Sequence, residues 1–151
     1  MDDRPTLYDF AGGAQAFLAL SVAMHERCVA DPVLQHPFSH GMSPEHDVRL
    51  AEYLGEVFGG PRVYSERYGG HSAMLDLHAS TGADADFAQR FLTCFDQALD
   101  DAGLPDDPEF RTVLHDYMAW ATSEVEVYSP VGSEVPSGLA FPYWTWNGPQ
   151  S

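Results

Sequence analysis

Apolar residues recur at helical spacing in four long stretches of this chain. From Ala14 to Ala30 they fall at Leu18, Val22 and Val29 with His25 among them, at steps of four, three and four. Phe17, Leu20, Met24 and Cys28 widen that face. The pattern stops at Asp31-Pro32, because proline cannot continue a helix and restricts the residue before it. A short link, VLQHPFSHGM, holds Phe38 between Pro37 and Gly41. Ser43-Pro44 then predicts a second helix, with a good N-cap followed by proline just inside. Its first turn carries Glu45 and Asp47, which suit the helix dipole. Its apolar face runs His46, Leu50, Tyr53, Leu54, Val57 and stops at Gly59-Gly60-Pro61.

The stretch GGPRVYSERYGGHSAMLDLH follows. Its glycines and proline predict changes of backbone direction, and its last part predicts a short apolar turn of helix. His78 comes one turn after Met74 and Leu75, on their side. Asp84 is a plausible cap for the next helix, which shows Phe87, Phe91, Cys94, Phe95, Ala98 and Leu99 on one face and ends near Ala102-Gly103. A last helix is expected from about Glu109 to Val127, with Phe110, Val113, Leu114, Tyr117, Met118, Ala121 and Val125 inward. From Tyr128 the chain shows neither helix nor strand periodicity. Phe141, Tyr143, Trp144 and Trp146 predict that this tail packs back on the helices, since a solvated tail has no use for two tryptophans. Four or five helices and no alternating segments predict an all-α domain.

Composition narrows the partners. The chain has 23 acidic residues against 7 basic ones, a formal charge of −16, and every basic residue is arginine. Such a surface repels phosphate backbones and anionic lipid, so nucleic acid and membranes are not expected as partners. No apolar run approaches the ~20 residues of a membrane span. MDDRPTLYDF lacks a basic segment followed by an apolar one, so no signal peptide is expected and a cytoplasmic location is. Cys28 and Cys94 fall on apolar faces, where reduced cysteines behave as small hydrophobes.

Chemistry rests on the seven histidines. His36, His40 and His115 fall in loops or on polar faces and read as surface residues. His25, His46 and His78 each lie on the inward stripe of a helix and can converge on one interior space. A structural zinc needs four His or Cys ligands at short spacings, and none is present. A catalytic metal is poorly served, since no carboxylate is expected on the same inward faces. No phosphate-binding loop and no G-x-S-x-G elbow occurs. Cys28 at i+3 from His25 has nothing evident to lower its pKa. An asymmetric set remains: one His holding iron from one side of a flat apolar cofactor, with other residues lining the far side, as haem requires.

The segments LYDFAGGAQAF, HERCVADPVLQHPF, EYLGEVFGGPRVYSERYGGH, LDLHAS and FLTCFDQALDD resemble the truncated haemoglobins, and within them the second group, over about residues 7 to 127. The resemblance implies a 2-on-2 helical sandwich over residues 1–127, a tail over 128–151, and haem b. It assigns His78 as the iron ligand. Phe38 becomes an aromatic wedge against the haem, and Leu50 and Phe91 become walls of the distal pocket, with Leu75 also beside the cofactor. Arg49, Arg62, Arg67 and His71 become candidates for the haem edge or its propionates. Two departures concern the pocket: His25 stands where the family has Tyr, and Phe91 where the second group has Trp. His46 falls on the distal helix. The implied function is binding of O2, NO or CO opposite His78, with His25 and His46 available for hydrogen bonding or iron coordination. The alternative is a haem enzyme, peroxidase-like or nitric-oxide-dioxygenase-like, in which His25 or His46 is the acid–base group. A reductase is an implied partner, and the chain is expected as a monomer or homodimer.

Overall fold

The computed structural model describes residues 4–34, 44–79 and 85–150. Phe38, His36, His40 and the expected cap Asp84 lie outside the described residues, as does the side chain of His78. Seven helices are present among the described residues: α1 (Leu7–Ala11), α2 (Ala14–Ala30), α3 (Pro44–Val57), α4 (Val63–Tyr68), α5 (His71–His78), α6 (Ala85–Asp101) and α7 (Pro108–Val127). Two short strands follow, β1 (Tyr143–Thr145) and β2 (Gly148–Gln150). The helices form two packed pairs, α2 with α3 and α6 with α7, and α2 also packs on α6. No helix among the described residues is long and apolar enough to cross a membrane.

The long helices start and stop where the pattern predicts. At α7 the Asp107 carboxylate accepts from Phe110 N at 2.9 Å and Pro108 opens the first turn, so two backbone donors are dealt with at once. Two short helices went unforeseen. In α1, the Thr6 hydroxyl caps Asp9 N at 3.1 Å. In α4, Glu56 is buried and accepts from both the backbone N and the hydroxyl of Ser65, which fixes the start of that helix against the end of α3.

The inward face of α2 differs from the expected one. Leu18, Val22 and Val29 are exposed, Leu18 at 40%, whereas Phe17, Leu20, Ser21, Ala23, Met24 and Cys28 are buried. Both stripes are apolar at helical spacing, so periodicity alone does not choose between them. Contact with α3 on one side and α6 on the other does. His25 consequently sits at the border of the buried face, half-covered.

The tail also departs from expectation. It contains an antiparallel hairpin pairing Tyr143 with Gln150, Trp144 with Pro149 and Thr145 with Gly148. Strands of three residues are too short to show alternation in the sequence. Trp144 and Trp146 are buried in the main core. Trp146 donates from Nε1 to the Pro5 carbonyl at 2.8 Å, packs edge-on against Phe10 at 4.9 Å, and carries the Arg4 guanidinium 4.1 Å above its ring. Both chain ends are thus tied to one tryptophan.

The Gly59-Gly60 turn is a docking site for α1. Tyr8 donates its backbone N–H to the Phe58 carbonyl at 2.9 Å, and its ring lies against Gly55 and Gly60. A Cβ on Gly60 would fall 2.6 Å from the Tyr8 ring and 2.8 Å from the Gly55 carbonyl oxygen. Gly60→Ala is therefore expected to lower stability by about 1–3 kcal/mol through overpacking, read as a lower urea midpoint with an unchanged m-value.

Candidate functional site

α2 and α3 bring two imidazoles and a carboxylate together. His25 projects from the fourth turn of α2, and His46 and Asp47 come from the first turn of α3. His25 Nδ1 lies 3.0 Å from Asp47 Oδ1. The same oxygen is 3.9 Å from His46 Nδ1. The two rings meet edge-on, centroids 6.3 Å apart at 74°. Asp47 is largely covered, its side chain 17% exposed. This corrects the expectation that no carboxylate shares the inward faces. Asp47 reads in the sequence as a first-turn acid serving the helix dipole. The crossing of α2 over α3 gives it a specific partner 22 residues away.

Below this group the chain reverses twice. Gly69 takes φ 95° to end α4, and Gly70 takes φ 89° to begin α5, both left-handed values that favour glycine. The turn sets α5, whose last residue is His78, beside the core. Leu75 of α5 is fully buried. Met74 from the same helix, Tyr68 from α4, Leu50 from α3 and Phe91 from α6 pack against the core while remaining only partly covered. Phe91 also touches a second apolar cluster of Cys28, Leu34 and Cys94. Of the expected pocket residues, Leu75 is thus fully buried, while Leu50 and Phe91 are only partly covered.

The basic residues are less uniform than the sequence suggests. Arg49 pairs with Glu45 at 3.6 Å and lies 5.8 Å over the Tyr68 ring. Arg67 is exposed and reaches Glu52 at 3.4 Å. Arg62 is exposed at the start of α4. His71 is enclosed instead. The Tyr53 hydroxyl is 2.7 Å from its Nδ1, its Nε2 bonds to the Glu124 carboxylate, and Trp120 stacks on its ring at 6.0 Å and 19°. Since an ionised carboxylate only accepts, neutral His71 donates from Nε2 to Glu124 and accepts at Nδ1 from the phenol. Both ring nitrogens are thereby used inside the protein. Burial pushes the Tyr53 phenol well above its ordinary pKa, keeping it a donor. Glu124, on the outer part of α7, is invisible as a partner in the sequence because 53 residues separate it from His71.

The two cysteines are free and buried. Burial, the nearness of Cys94 and the hydrogen bond between the two thiols push Cys28 up to about 12. This agrees with the reading of these residues as small hydrophobes.

A family model described as "Bacterial-like globin" matches residues 6–123. This chain belongs to the bacterial-like globins. The globin is 30% identical over 100 residues to a group 2 truncated haemoglobin, 3-1, of Lotus japonicus, covering 63% of this chain and 57% of that protein. The globin thus spans less than two thirds of that relative's length. Among solved structures, the haemoglobin of the thermophilic phototroph Chloroflexus aurantiacus is 31% identical, covering 81% of this chain and 98% of that one, with a TM-score of 0.71. The group II truncated haemoglobin of Bacillus anthracis, at 23% identity, shares the fold, covering 85% of this chain and 95% of that one with a TM-score of 0.72. The all-α, 2-on-2 architecture expected from the sequence is that of this globin and its neighbours.

Two outcomes follow from these contacts. Tyr53→Phe leaves the His71 acceptor buried and unpaired, and is expected to cost about 1–3 kcal/mol in equilibrium unfolding. Cys28, with its thiolate suppressed, is expected to react with a thiol reagent at pH 8 no faster than global unfolding exposes it; rapid modification of the folded globin would contradict the burial described.

Proposed function

We propose that this globin binds haem between α3 and α5 and takes a small diatomic ligand, O2, NO or CO, on the side opposite His78. The observation that carries the reading is the meeting of His25, His46 and Asp47 between α2 and α3, together with Leu50, Tyr68, Met74 and Phe91, which pack against the core while remaining only partly covered. A flat apolar cofactor would complete the burial of such partly covered side chains, so the residues present fit the group. A bound haem would supply an iron able to take a small ligand. His78 is the proposed iron ligand, the end of a helix positioned by the double-glycine turn. Phe38 is proposed as a wedge against the ring, and Leu50, Leu75 and Phe91 as its apolar surroundings. Arg49, Arg62 and Arg67 supply positive charge for the propionates, and His71 braces α5 against α7 through Glu124. The two cysteines lie in an apolar cluster and form no C-x-x-C-H attachment motif, which supports haem b, held without covalent links.

A second reading is favoured by one contact. Asp47 beside His25 is the arrangement that makes an imidazole useful as an acid–base group, which suits a haem enzyme acting on peroxide or nitric oxide. A reductase partner and a cytoplasmic setting belong to both readings.

An absorption spectrum of the ferric, ferrous and CO-treated protein tests the proposal. A Soret band that moves with oxidation state and with CO is the expected result. Its absence after haem is added defeats haem binding. His78→Ala is expected to abolish stable haem uptake, and an unaltered spectrum in that variant overturns the ligand assignment. If His25 or His46 ligates the iron, the resting ferric spectrum changes when both are replaced.

A further inference from the structure

We infer that Asp47 is a positioning residue that makes His25 a proton acceptor, so that the site favours a protic small substrate of the hydroperoxide class over an aprotic diatomic. The inference rests on the distal placement of His25 proposed above.

The geometry fixes the direction of the hydrogen bond. Asp47 Oδ1 is 3.0 Å from His25 Nδ1, and an ionised carboxylate has no proton to give. The hydrogen therefore sits on Nδ1. In neutral imidazole only one nitrogen carries hydrogen, so Nε2 is left with its lone pair. A side chain in that state cannot donate from Nε2 to an oxygen, nitric oxide or carbon monoxide molecule. It can take a proton from a molecule that has one. With hydrogen peroxide the O–H bond breaks, its proton moves to His25 Nε2, and its electron pair stays on the hydroperoxide anion. The imidazolium that results carries hydrogen on both nitrogens and faces the Asp47 carboxylate, whose negative charge stabilises it. No electron is transferred in this step, and no other reactant is needed.

Three surroundings support the role. Asp47 is 17% exposed and His25 26% exposed, so the pair is screened from water less than a core pair but more than a surface one. The same Asp47 oxygen faces His46 Nδ1 at 3.9 Å, which places a second imidazole edge beside the first without displacing the shorter contact. Asp47 also lies in the first turn of α3, where a negative side chain suits the helix dipole.

The test reads the tautomer directly. Nitrogen-15 NMR of the His25 ring, in the full chain both without haem and in the haem-loaded, CO-treated ferrous form, is expected to show hydrogen on Nδ1 in the wild type. In Asp47→Ala the hydrogen is expected to redistribute toward Nε2, and in Asp47→Asn, whose amide oxygen still accepts, to remain on Nδ1. Peroxide association with the ferric protein should fall about tenfold or more in Asp47→Ala, with Asp47→Asn keeping most of the wild-type rate. A wild-type His25 carrying its hydrogen on Nε2 overturns the inference, as does a peroxide rate indifferent to Asp47. A purely structural Asp47 would leave the His25 tautomer the same in Asp47→Ala as in the wild type. If the chain takes up no haem, the proposed function fails, while the tautomer in the haem-free protein still decides the role of Asp47. Should Asp47→Ala not fold, the wild-type tautomer and the Asp47→Asn comparison carry the same decision.

Discussion

Two sides of α2 need cover at once, and the rest of the molecule depends on how that is met. Phe17, Leu20, Met24 and Cys28 are buried by contact with α3 on one flank and α6 on the other. This double contact joins the two helical pairs into one core, in which Phe17 stacks on Phe58 at 5.8 Å and Phe58 meets the Tyr117 ring of α7 edge-on at 5.1 Å. It also sets how far α2 is rotated about its own axis. That rotation puts His25 at the margin of the buried face, over the first turn of α3, and so creates the contact with Asp47. Helix packing and the His25–Asp47 contact are thus set by the same interaction.

The acidity of the chain has a local counterpart. Three of the described histidines meet a carboxylate within hydrogen-bonding reach: His25 with Asp47, His71 with Glu124, and His115 with Asp96 at 2.9 Å. A carboxylate on one ring nitrogen determines what the other can do. For His71 the other nitrogen accepts from a buried phenol, which makes a closed structural chain. For His115, half-exposed, the pair is a surface contact of small energetic weight. For His25 the second nitrogen is the one proposed above to take a proton. The same pairing thus has three consequences, separated by burial and by what else lies within reach.

The termini and the glycine turns frame this arrangement. Arg4, Pro5 and Phe10 all meet Trp146, so the two ends of the chain close over one side of α7. Tyr8 closes over Gly55 and Gly60, which holds the end of α3 against α1. Glu56 then ties the end of α3 to the start of α4, and Gly69-Gly70 turns the chain into α5. The segment between α3 and His78 is short, and its conformation depends on these few residues.

Much of this was legible in the residues themselves. The spans of the four long helices follow from local rules, because proline, glycine and capping side chains act within a turn of where they sit. The family resemblance, carried by short motifs, pointed to the globin fold that the comparisons bear out. Which apolar stripe of α2 faces inward was not legible, since Leu18, Val22 and Val29 are as apolar as the residues that are buried. Nor were the partners of His25 and His71, because contacts across 22 and 53 residues depend on helix crossing, which leaves no periodic trace. The hairpin around Trp144 was hidden by its brevity. The sequence by itself determined where helices begin and end and which side chains are available for chemistry. Only the tertiary structure decided which of those side chains meet, since a hydrogen bond between two helices depends on their relative rotation, and that is fixed by packing over the whole core.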